Sequence, residues 1–236
     1  MSVIWLDSID STNSEALRRL PELSGGTVLA AREQTAGRGQ RGNTWFSALG
    51  ENLTFSIVLK DLPLKAPEAV RLNYMTSVAV ASYLESHGVE AAIKWPNDIY
   101  VGDRKICGIL ISNTVSGTLL KDSVAGIGIN LNQVEFPDWI PNPTSLKLIT
   151  QNNYVIEDEL PLAVDEILAE YDAIGEQTAP EYLRRLYLKD TPHQFTDATS
   201  GNMFNGVITG VLQDGRLEVR TADGYFSYFA FKEIIY

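Results

Sequence analysis

Two short segments of the sequence carry residue types that can bind and activate a charged ligand. The first, residues 33–47, reads EQTAGRGQRGNTWFS and holds three glycines, two arginines and a closing aromatic pair. Glycine permits close approach of the backbone, a guanidinium binds phosphate oxygens through two hydrogen bonds, and an aromatic ring forms a wall. The segment therefore predicts a binding loop for a small phosphate-bearing ligand. The alternative is a flexible, solvated surface loop, which would gain nothing from Trp45 and Phe46.

The glycines of this segment also match a dinucleotide-binding fingerprint. Residues 37–42, GRGQRG, satisfy G-x-G-x-x-G. That fingerprint requires a helix that starts within the glycines, whereas this segment leads toward the β-patterned run NLTFSIVL at residues 52–59. The chain has no G-x-x-x-x-G-K-[ST] phosphate loop. A dinucleotide-dependent oxidoreductase is therefore the weaker alternative.

The second segment is KWPND at residues 94–98. Lys94 ends an extended run and is poorly placed for solubility alone. A packed turn at Trp95 and Pro96, with Lys94 paired to Asp98, explains these five residues equally well. The nearby runs GDRKICGIL at 102–110 and GIGIN at 126–130 favour a ligand site.

The surrounding pattern indicates the elements that would position these segments. Strands are predicted at residues 3–6, 27–32, 52–59, 89–94, 99–101, 105–112 and 119–129. A capping-box pattern at residues 12–15 opens a helix to about Leu20, and longer helices are predicted at 67–87, 160–174 and 180–189. Because strand follows strand through the middle of the chain, we predict an α+β fold. Its sheet is mixed or antiparallel, with helices packed on one side.

Two further regions complete the predicted organisation. Residues 131–153 read as a long irregular loop in which Phe136 or Trp139 could close on a ligand or simply pack. From about residue 193 short strands follow one another, with hairpin dipeptides at 214–215 and 223–224. We therefore expect a main domain at residues 1–190 and a small β-barrel at 191–236.

Composition narrows the function and the compartment. The net charge of -11 disfavours nucleic-acid binding, which depends on neutralising phosphates with Lys and Arg. Cys107 is the only cysteine, so neither an intrachain disulfide nor a cysteine-rich zinc site is expected. The sequence shows neither a leader pattern nor an 18-residue apolar run. We expect a cytoplasmic protein with no nucleic-acid and no membrane partner.

Taken together, the motifs resemble those of the biotin protein ligases over nearly the whole chain. The matching pieces are STN at 11–13, QTAGRG at 34–39 with Trp45 and Phe46, KWPND, DRK, GIL, GIGIN, and NGVITGVLQDGRLEV at 205–219. The resemblance implies a class II synthetase-like α+β catalytic domain followed by an SH3-like barrel. It also implies that biotin and ATP form biotinyl-5'-AMP, from which biotin passes to a lysine of a biotin carboxyl carrier protein.

The resemblance also implies roles for individual residues. Lys94 and Arg38 would be the catalytic cations. Biotin would be bound by Ser11, Thr12, Asn13, Gln34, Gly37, Trp45, Ile99, Gly126 and Gly128. ATP and the adenylate would be bound by Arg38, Gly39, Gln40, Arg41, Lys94, Asn97 and Asn130. Mg²⁺ would accompany the triphosphate, with no protein ligand assigned.

The sequence departs from the family pattern in the glycine loop. Relatives often read GRGRxGR there, whereas Gln40 and Asn43 occupy two of the basic positions, so the adenylate would be held less tightly unless Arg41 or Arg104 compensates. Only ten residues precede Ser11, so we expect a ligase without an N-terminal DNA-binding domain. Because the sequence ends at Tyr236, we also expect no nucleotide contact from a longer C-terminal tail. A homodimer is also implied. Lipoate ligases, octanoyl transferases and a non-catalytic nucleic-acid module are the remaining alternatives.

Overall fold

The computed structural model describes residues 2–172 and 178–236, without the side chain of Arg41. The first sheet contains β1 Ser2–Ile9, β2 Thr27–Gln34, β3 Leu53–Lys60, β4 Ala92–Lys94, β5 Asp98–Val101, β6 Arg104–Ser116 and β7 Leu119–Ile129. The helices are α1 Thr12–Arg18, α2 Val70–Ser86, α3 Leu146–Thr150, α4 Ile156–Asp172 and α5 Thr178–Arg184. The second sheet contains β8 Pro192–Asp197, β9 Met203–Val211, β10 Leu217–Thr221, β11 Phe226–Phe229 and β12 Ile234–Ile235.

The first sheet is mixed, as predicted. Its seven strands lie in the order β1-β2-β3-β7-β6-β5-β4. Strands β1 and β2 run parallel, because α1 connects them, and the remaining neighbours pair antiparallel. Short turns connect β4 to β7 in succession, whereas longer segments lead from β2 to β3 and from β3 to β4. The predicted α+β fold class is therefore confirmed.

Helices cover both faces of this sheet, whereas the sequence analysis placed them on one side. Alternate residues of a strand point to opposite faces. On β3, Phe55 and Ile57 join the main core with α2 and α4, while Val58 packs with Ala16 of α1 in a smaller cluster. The short α1 therefore covers part of the second face. The apolar residues of α1 span only about one turn, too short a pattern to predict which face of the sheet the helix covers.

Several helix boundaries differ from the predictions. Ser11, rather than Thr12, is the N-cap of α1, because the Thr12 hydroxyl is engaged by Gln34 and Ser56. Residues 131–153 include α3, whose N-cap Ser145 accepts a hydrogen bond from Leu148 N. The helix predicted at 160–174 is α4; it starts at Ile156, and its predicted end lies outside the described residues.

The last predicted helix, residues 180–189, is α5, which ends at Arg184. The backbone then becomes irregular, with positive φ at Leu188 and Asp190, and Leu186 pairs with Ile93 through an isolated bridge. The five strands of the second sheet follow in the order β11-β10-β9-β8-β12, all antiparallel. None of the described helices combines the length and the apolar character needed to cross a membrane.

Candidate active site

A cavity of about 950 Å³ opens where the first sheet meets the second, within the size range of small-molecule sites. Most of the predicted site residues line it. These are Ser11, Thr12, Asn13, Gln34, Arg38, Gly39, Gln40, Trp45, Lys94, Asn97, Gly126, Gly128 and Asn130. Residues separated by more than 100 positions in the sequence therefore meet at one place.

The floor of the cavity is the face of β7 on which Gly126 and Gly128 lie. Val124, Gly126, Gly128 and Asn130 share this face by alternation, and Val124 packs against α1. A Cβ on Gly126 would meet Asn13 Nδ2 at 3.1 Å, and one on Gly128 would meet Trp45 Cε2 at 2.3 Å. The sequence analysis assigned these glycines to direct contact with a ligand. In the structure, the missing side chain at Gly128 makes room for the indole of Trp45.

The glycine loop folds into a small hairpin. Arg38 and Thr44 form an isolated antiparallel bridge, Gly39 N donates to Asn43 O at 2.7 Å, and Trp45 N donates to Gly37 O at 2.9 Å. These bonds hold Trp45 against the floor. The only helical turn within the loop is a three-residue 3-10 segment, after which the chain enters β3. The loop therefore lacks the helix that a dinucleotide fingerprint requires.

A polar network occupies the end of the cavity next to α1. Gln34 Oε1 accepts from Thr12 N at 2.8 Å and from Thr12 Oγ1 at 3.2 Å. Asn13 Oδ1 accepts from Ser112 Oγ at 3.1 Å. Ser11 accepts from Ser14 N as the helix cap, which leaves its hydroxyl proton able to donate. These groups can offer both donors and acceptors to a bound polar ring.

Lys94 projects into the cavity from the end of β4. Its Nζ donates to Tyr100 Oη at 3.3 Å. Burial, which penalises the charged form, lowers the pKa of Lys94; the Asp98 carboxylate opposes this shift and Lys105 adds to it. Asp98 pairs with Lys105 Nζ at 2.7 Å, so the predicted alternative of a Lys94–Asp98 ion pair is wrong. Lys94 is instead a half-buried cation.

The two predicted asparagines are buried in the wall of the same cavity. Asn97 Nδ2 donates to Ile109 O, and Asn130 Nδ2 donates to Thr144 O at 2.9 Å. Asn130 Oδ1, Trp45 Nε1 and Tyr236 Oη are buried without a hydrogen-bond partner among the described residues. Buried polar atoms are normally satisfied, and all three residues line the cavity. Their free atoms fit a cavity that receives a polar ligand.

Some predicted residues do not line the cavity. Ile99 is fully buried in the main core. Gly37 is also buried, and a Cβ there would meet Trp45 O at 2.3 Å, so glycine is required by the hairpin itself. Lys105 lines the cavity where Arg104 was considered, because adjacent strand residues face opposite sides. The side chain of Arg41 lies outside the described part of the structure.

Sequence reasoning missed the contribution of the second sheet. Ala198, Phe231, Lys232, Ile234, Ile235 and Tyr236 also line the cavity. Tyr100 lines it as well. No motif links these positions to a site, since their role depends on how the second sheet packs on the first. The aromatic content of the C-terminal segment was the one signal available.

The described residues contain no group of three His, Cys, Asp or Glu side chains arranged to hold a metal ion. Asp98 is the carboxylate that lines the cavity, and it is engaged by Lys105. The protein groups therefore do not fit a resident metal held by the chain itself. Any Mg²⁺ would have to be held mainly by a bound triphosphate and water.

The fold and site define a class: an α+β protein whose mixed sheet carries a cationic small-molecule cavity, flanked by a second antiparallel sheet. A model of the biotin/lipoate A/B protein ligase family matches residues 5–130, more than half of the chain. The protein belongs to this family. The family resemblance found in the sequence is thereby confirmed.

Individual relatives agree with this assignment. The chain is 40% identical over 131 residues to the bifunctional ligase/repressor BirA of Escherichia coli strain K12, covering 55% of this chain and 40% of that protein. It is 39% identical over 125 residues to the biotin--[acetyl-CoA-carboxylase] ligase of Paracoccus denitrificans, covering 52% and 51%. The chain thus spans about half the length of these curated relatives, or less.

The fold also matches solved structures. The biotin protein ligase from Aquifex aeolicus in complex with biotin and ATP aligns with a TM-score of 0.79 and 24% identity. That alignment covers 99% of this chain and 97% of the Aquifex chain. The match therefore includes the second sheet as well as the first.

Proposed function

We propose that the protein is a biotin protein ligase. Biotin's carboxylate oxygen attacks the α-phosphorus of ATP, the bond to the β-phosphate breaks, and pyrophosphate leaves with formation of biotinyl-5'-AMP. The neutral amine of an acceptor lysine then attacks the acyl carbon. AMP leaves with the former carboxylate oxygen, and the new amide loses one proton. The names of the curated relatives and the ligands of the Aquifex structure support this reaction.

Lys94 is the proposed electrophilic cation of both half-reactions. Its partly buried ammonium lines the cavity and would neutralise the carboxylate and the α-phosphate oxygens as they approach. A cation in a partly desolvated site stabilises developing charge more strongly than one in water. Arg38 is exposed at the mouth and donates to Ser14 Oγ at 3.3 Å, so it is proposed to bind phosphate from the solvent side.

The α1 end of the cavity is the proposed biotin site. Gln34 Oε1 is already engaged by Thr12, which leaves the amide protons of Gln34 to donate to a ureido oxygen. The Ser11 hydroxyl and the Asn13 amide provide further polar groups. Trp45 would cover the apolar part of the ligand above Gly128. We propose no direct contact from Ile99 or Gly37, which do not line the cavity.

The opposite end is the proposed nucleotide site. We assign Gly39, Gln40 and Asn130 to it, because all three line the cavity and the buried Asn130 Oδ1 is free to accept a hydrogen bond. Phe136 and Trp139 also line the cavity, and either is proposed to close on the adenine. The Trp139 ring meets the Phe46 ring edge-on, with 6.2 Å between centroids, and Trp139 is 62% exposed. Arg41 and Asn97 remain predictions for this end, and Mg²⁺ would arrive with the triphosphate.

We further propose that residues 191–236 form an SH3-like unit that completes the cavity wall. The strands of the second sheet, which begin at Pro192, support this division. The acceptor is proposed to be a biotin carboxyl carrier domain. The homodimer, the cytoplasmic compartment and the lack of a nucleic-acid partner remain predictions from the sequence.

The observation that carries the proposal is the convergence of Lys94 with three unsatisfied polar atoms around the floor formed by Gly126 and Gly128. Biotin-dependent exchange of labelled pyrophosphate into ATP tests it, because exchange requires the adenylate to form reversibly. Lipoate and octanoate, offered separately, are the matched alternatives. Exchange with biotin alone supports the proposal, whereas exchange with lipoate or octanoate but not biotin would overturn the choice of substrate.

A further inference from the structure

The ammonium of Lys94 lies between two tyrosine rings. Its Nζ is 4.8 Å from the ring centroid of Tyr100 and 4.6 Å from that of Tyr236. The Tyr236 distance lies within the range at which a cation is attracted to the face of an aromatic ring. At Tyr100 the ammonium meets the hydroxyl, to which Nζ donates at 3.3 Å. Lys94 therefore occupies an aromatic cage with two walls.

The two walls come from different sheets. Tyr100 belongs to β5, next to Lys94 in the first sheet, while Tyr236 directly follows β12 of the second sheet. The Tyr236 ring is held by Phe195, at 5.6 Å between centroids, and by Tyr187, at 6.3 Å. The position of one wall is therefore set by packing within and beside the second sheet.

The neighbouring residue is held by the same sheet. Trp95 Nε1 donates to Gly215 O at 2.9 Å, and its ring contacts Phe231 at 6.3 Å. Residues 94 and 95 thus both depend on contacts across the boundary between the sheets. A disturbance of the second sheet would be transmitted directly to the lysine.

The cage acts through neutral rings. Burial raises the pKa of Tyr100 to about 12 and raises that of Tyr236 further, so neither phenol ionises at neutral pH. Charges that act on Lys94 include Asp98, which is paired with Lys105, and Lys105 itself, and Arg38 and Lys232 line the same cavity. The face of the Tyr236 ring and the Tyr100 hydroxyl therefore add to the stabilisation of the ammonium as it loses water.

We propose that Tyr236 is a positioning residue for Lys94. The ring of Tyr236, together with Tyr100, holds the Lys94 ammonium charged and in place at the cavity wall. The second sheet would thereby tune the activation step. The link to adenylate formation rests on the proposed function, whereas the cage itself does not.

The direct test measures the pKa of Lys94 from the pH dependence of its acetylation by acetic anhydride, followed by peptide mass spectrometry. Because a ring stabilises the charged form, Tyr236→Leu should lower the pKa of Lys94 by about half a unit to one and a half units. Tyr236→Phe retains the ring and should leave it unchanged. Tyr225→Leu removes an aromatic ring from a residue that is 73% exposed, in the turn between β10 and β11 of the same sheet, and is the matched control.

An unshifted Lys94 pKa in folded Tyr236→Leu protein would overturn the proposal. If that variant does not fold, Tyr236→Met, which also removes the ring, carries the same test, and an unshifted pKa there is equally contradictory. In the exchange assay, the basic limb of the pH profile should move to lower pH in Tyr236→Leu and return in Tyr236→Phe. A shifted pKa in a protein without biotin-dependent exchange would uphold the cage and reject the proposed function.

Discussion

Replacing Gly128 by alanine tests the packing of the cavity floor. An added Cβ would lie 2.3 Å from Trp45 Cε2 and 2.5 Å from Trp45 Nε1, whereas ordinary contact begins at 3.4 Å. The indole must therefore retreat by about 1 Å, and overpacking of this kind typically costs about 1 to 3 kcal/mol. In the free protein the cavity beside Trp45 offers space for the displaced ring. A ligand would then have to displace it.

The energy needed to displace the Trp45 ring should consequently weaken ligand binding. We expect Gly128→Ala to weaken biotin binding about 5- to 150-fold, the equivalent of that energy, while the unfolding temperature changes little. Isothermal titration calorimetry with biotin and thermal unfolding measure the two quantities on the same sample. Gly126→Ala should have a smaller effect, because its nearest contact is at 3.1 Å, to an Asn13 amide nitrogen.

The matched control is Gly210→Ala on β9, where an added Cβ meets no atom within 4 Å. It should alter neither biotin binding nor stability. Unchanged biotin affinity in folded Gly128→Ala protein would refute the reasoning that Trp45 and the ligand share this space. Equal weakening of biotin binding by Gly128→Ala and Gly210→Ala would likewise show that the effect is not local to the cavity floor.

Three further predictions concern catalysis and stability. Lys94→Ala should lower the adenylation rate about 100-fold or more yet retain biotin affinity, as measured by single-turnover kinetics and calorimetry. Glu159→Ala should destabilise the protein by about 1 to 3 kcal/mol in urea unfolding, since buried Tyr83 Oη donates to Glu159 Oε2 at 2.7 Å. Hydrogen bonds from Arg184 and Arg185 lower the pKa of Glu181 from 4.5 to about 2, so this carboxylate stabilises the fold above pH 4.5 and progressively less as the pH falls toward 2. Glu181→Gln should therefore lose less stability between pH 5 and pH 3 than the unaltered protein, as compared by urea midpoints.

Each of these predictions has a contradictory outcome. Biotin affinity lost in parallel with rate would assign Lys94 to ligand binding rather than to activation. If Glu159→Ala lowers the free energy of unfolding by less than about 0.5 kcal/mol, water replaces the hydrogen bonds of Glu159 without cost. If the stability of Glu181→Gln depends on pH in the same way as that of the unaltered protein, the Glu181 carboxylate does not contribute to the pH dependence of stability.

Much of the fold could be predicted from the sequence because strand patterns and helix ends depend on residues that are close together in the chain. The fully buried β3 reads as a continuous β-patterned run, and Gly88, with φ of 75°, ends the long helix region as predicted. The helix α3 was missed because its five residues depend on the Ser145 cap and on contacts of Leu146 with the core. Periodicity cannot be read in so short an element.

The site was recoverable to a similar extent, for a different reason. Motif residues such as Lys94 and Gly126 have spacings that identify them, and the structure brings them to one cavity. Ile99 sits within the same motif region yet faces the core, because β5 alternates sides. Tyr236 was not recoverable, since its position depends on how two sheets meet across more than 130 residues of sequence.

The central claim is tested most directly by the mass of a purified biotin carboxyl carrier domain after incubation with this protein, biotin and ATP. We predict an increase of one biotinyl group, located at a single lysine by peptide mapping and absent when Lys94→Ala protein is used. A carrier that keeps its original mass with fully folded protein, or one that is modified only when lipoate replaces biotin, would contradict the account.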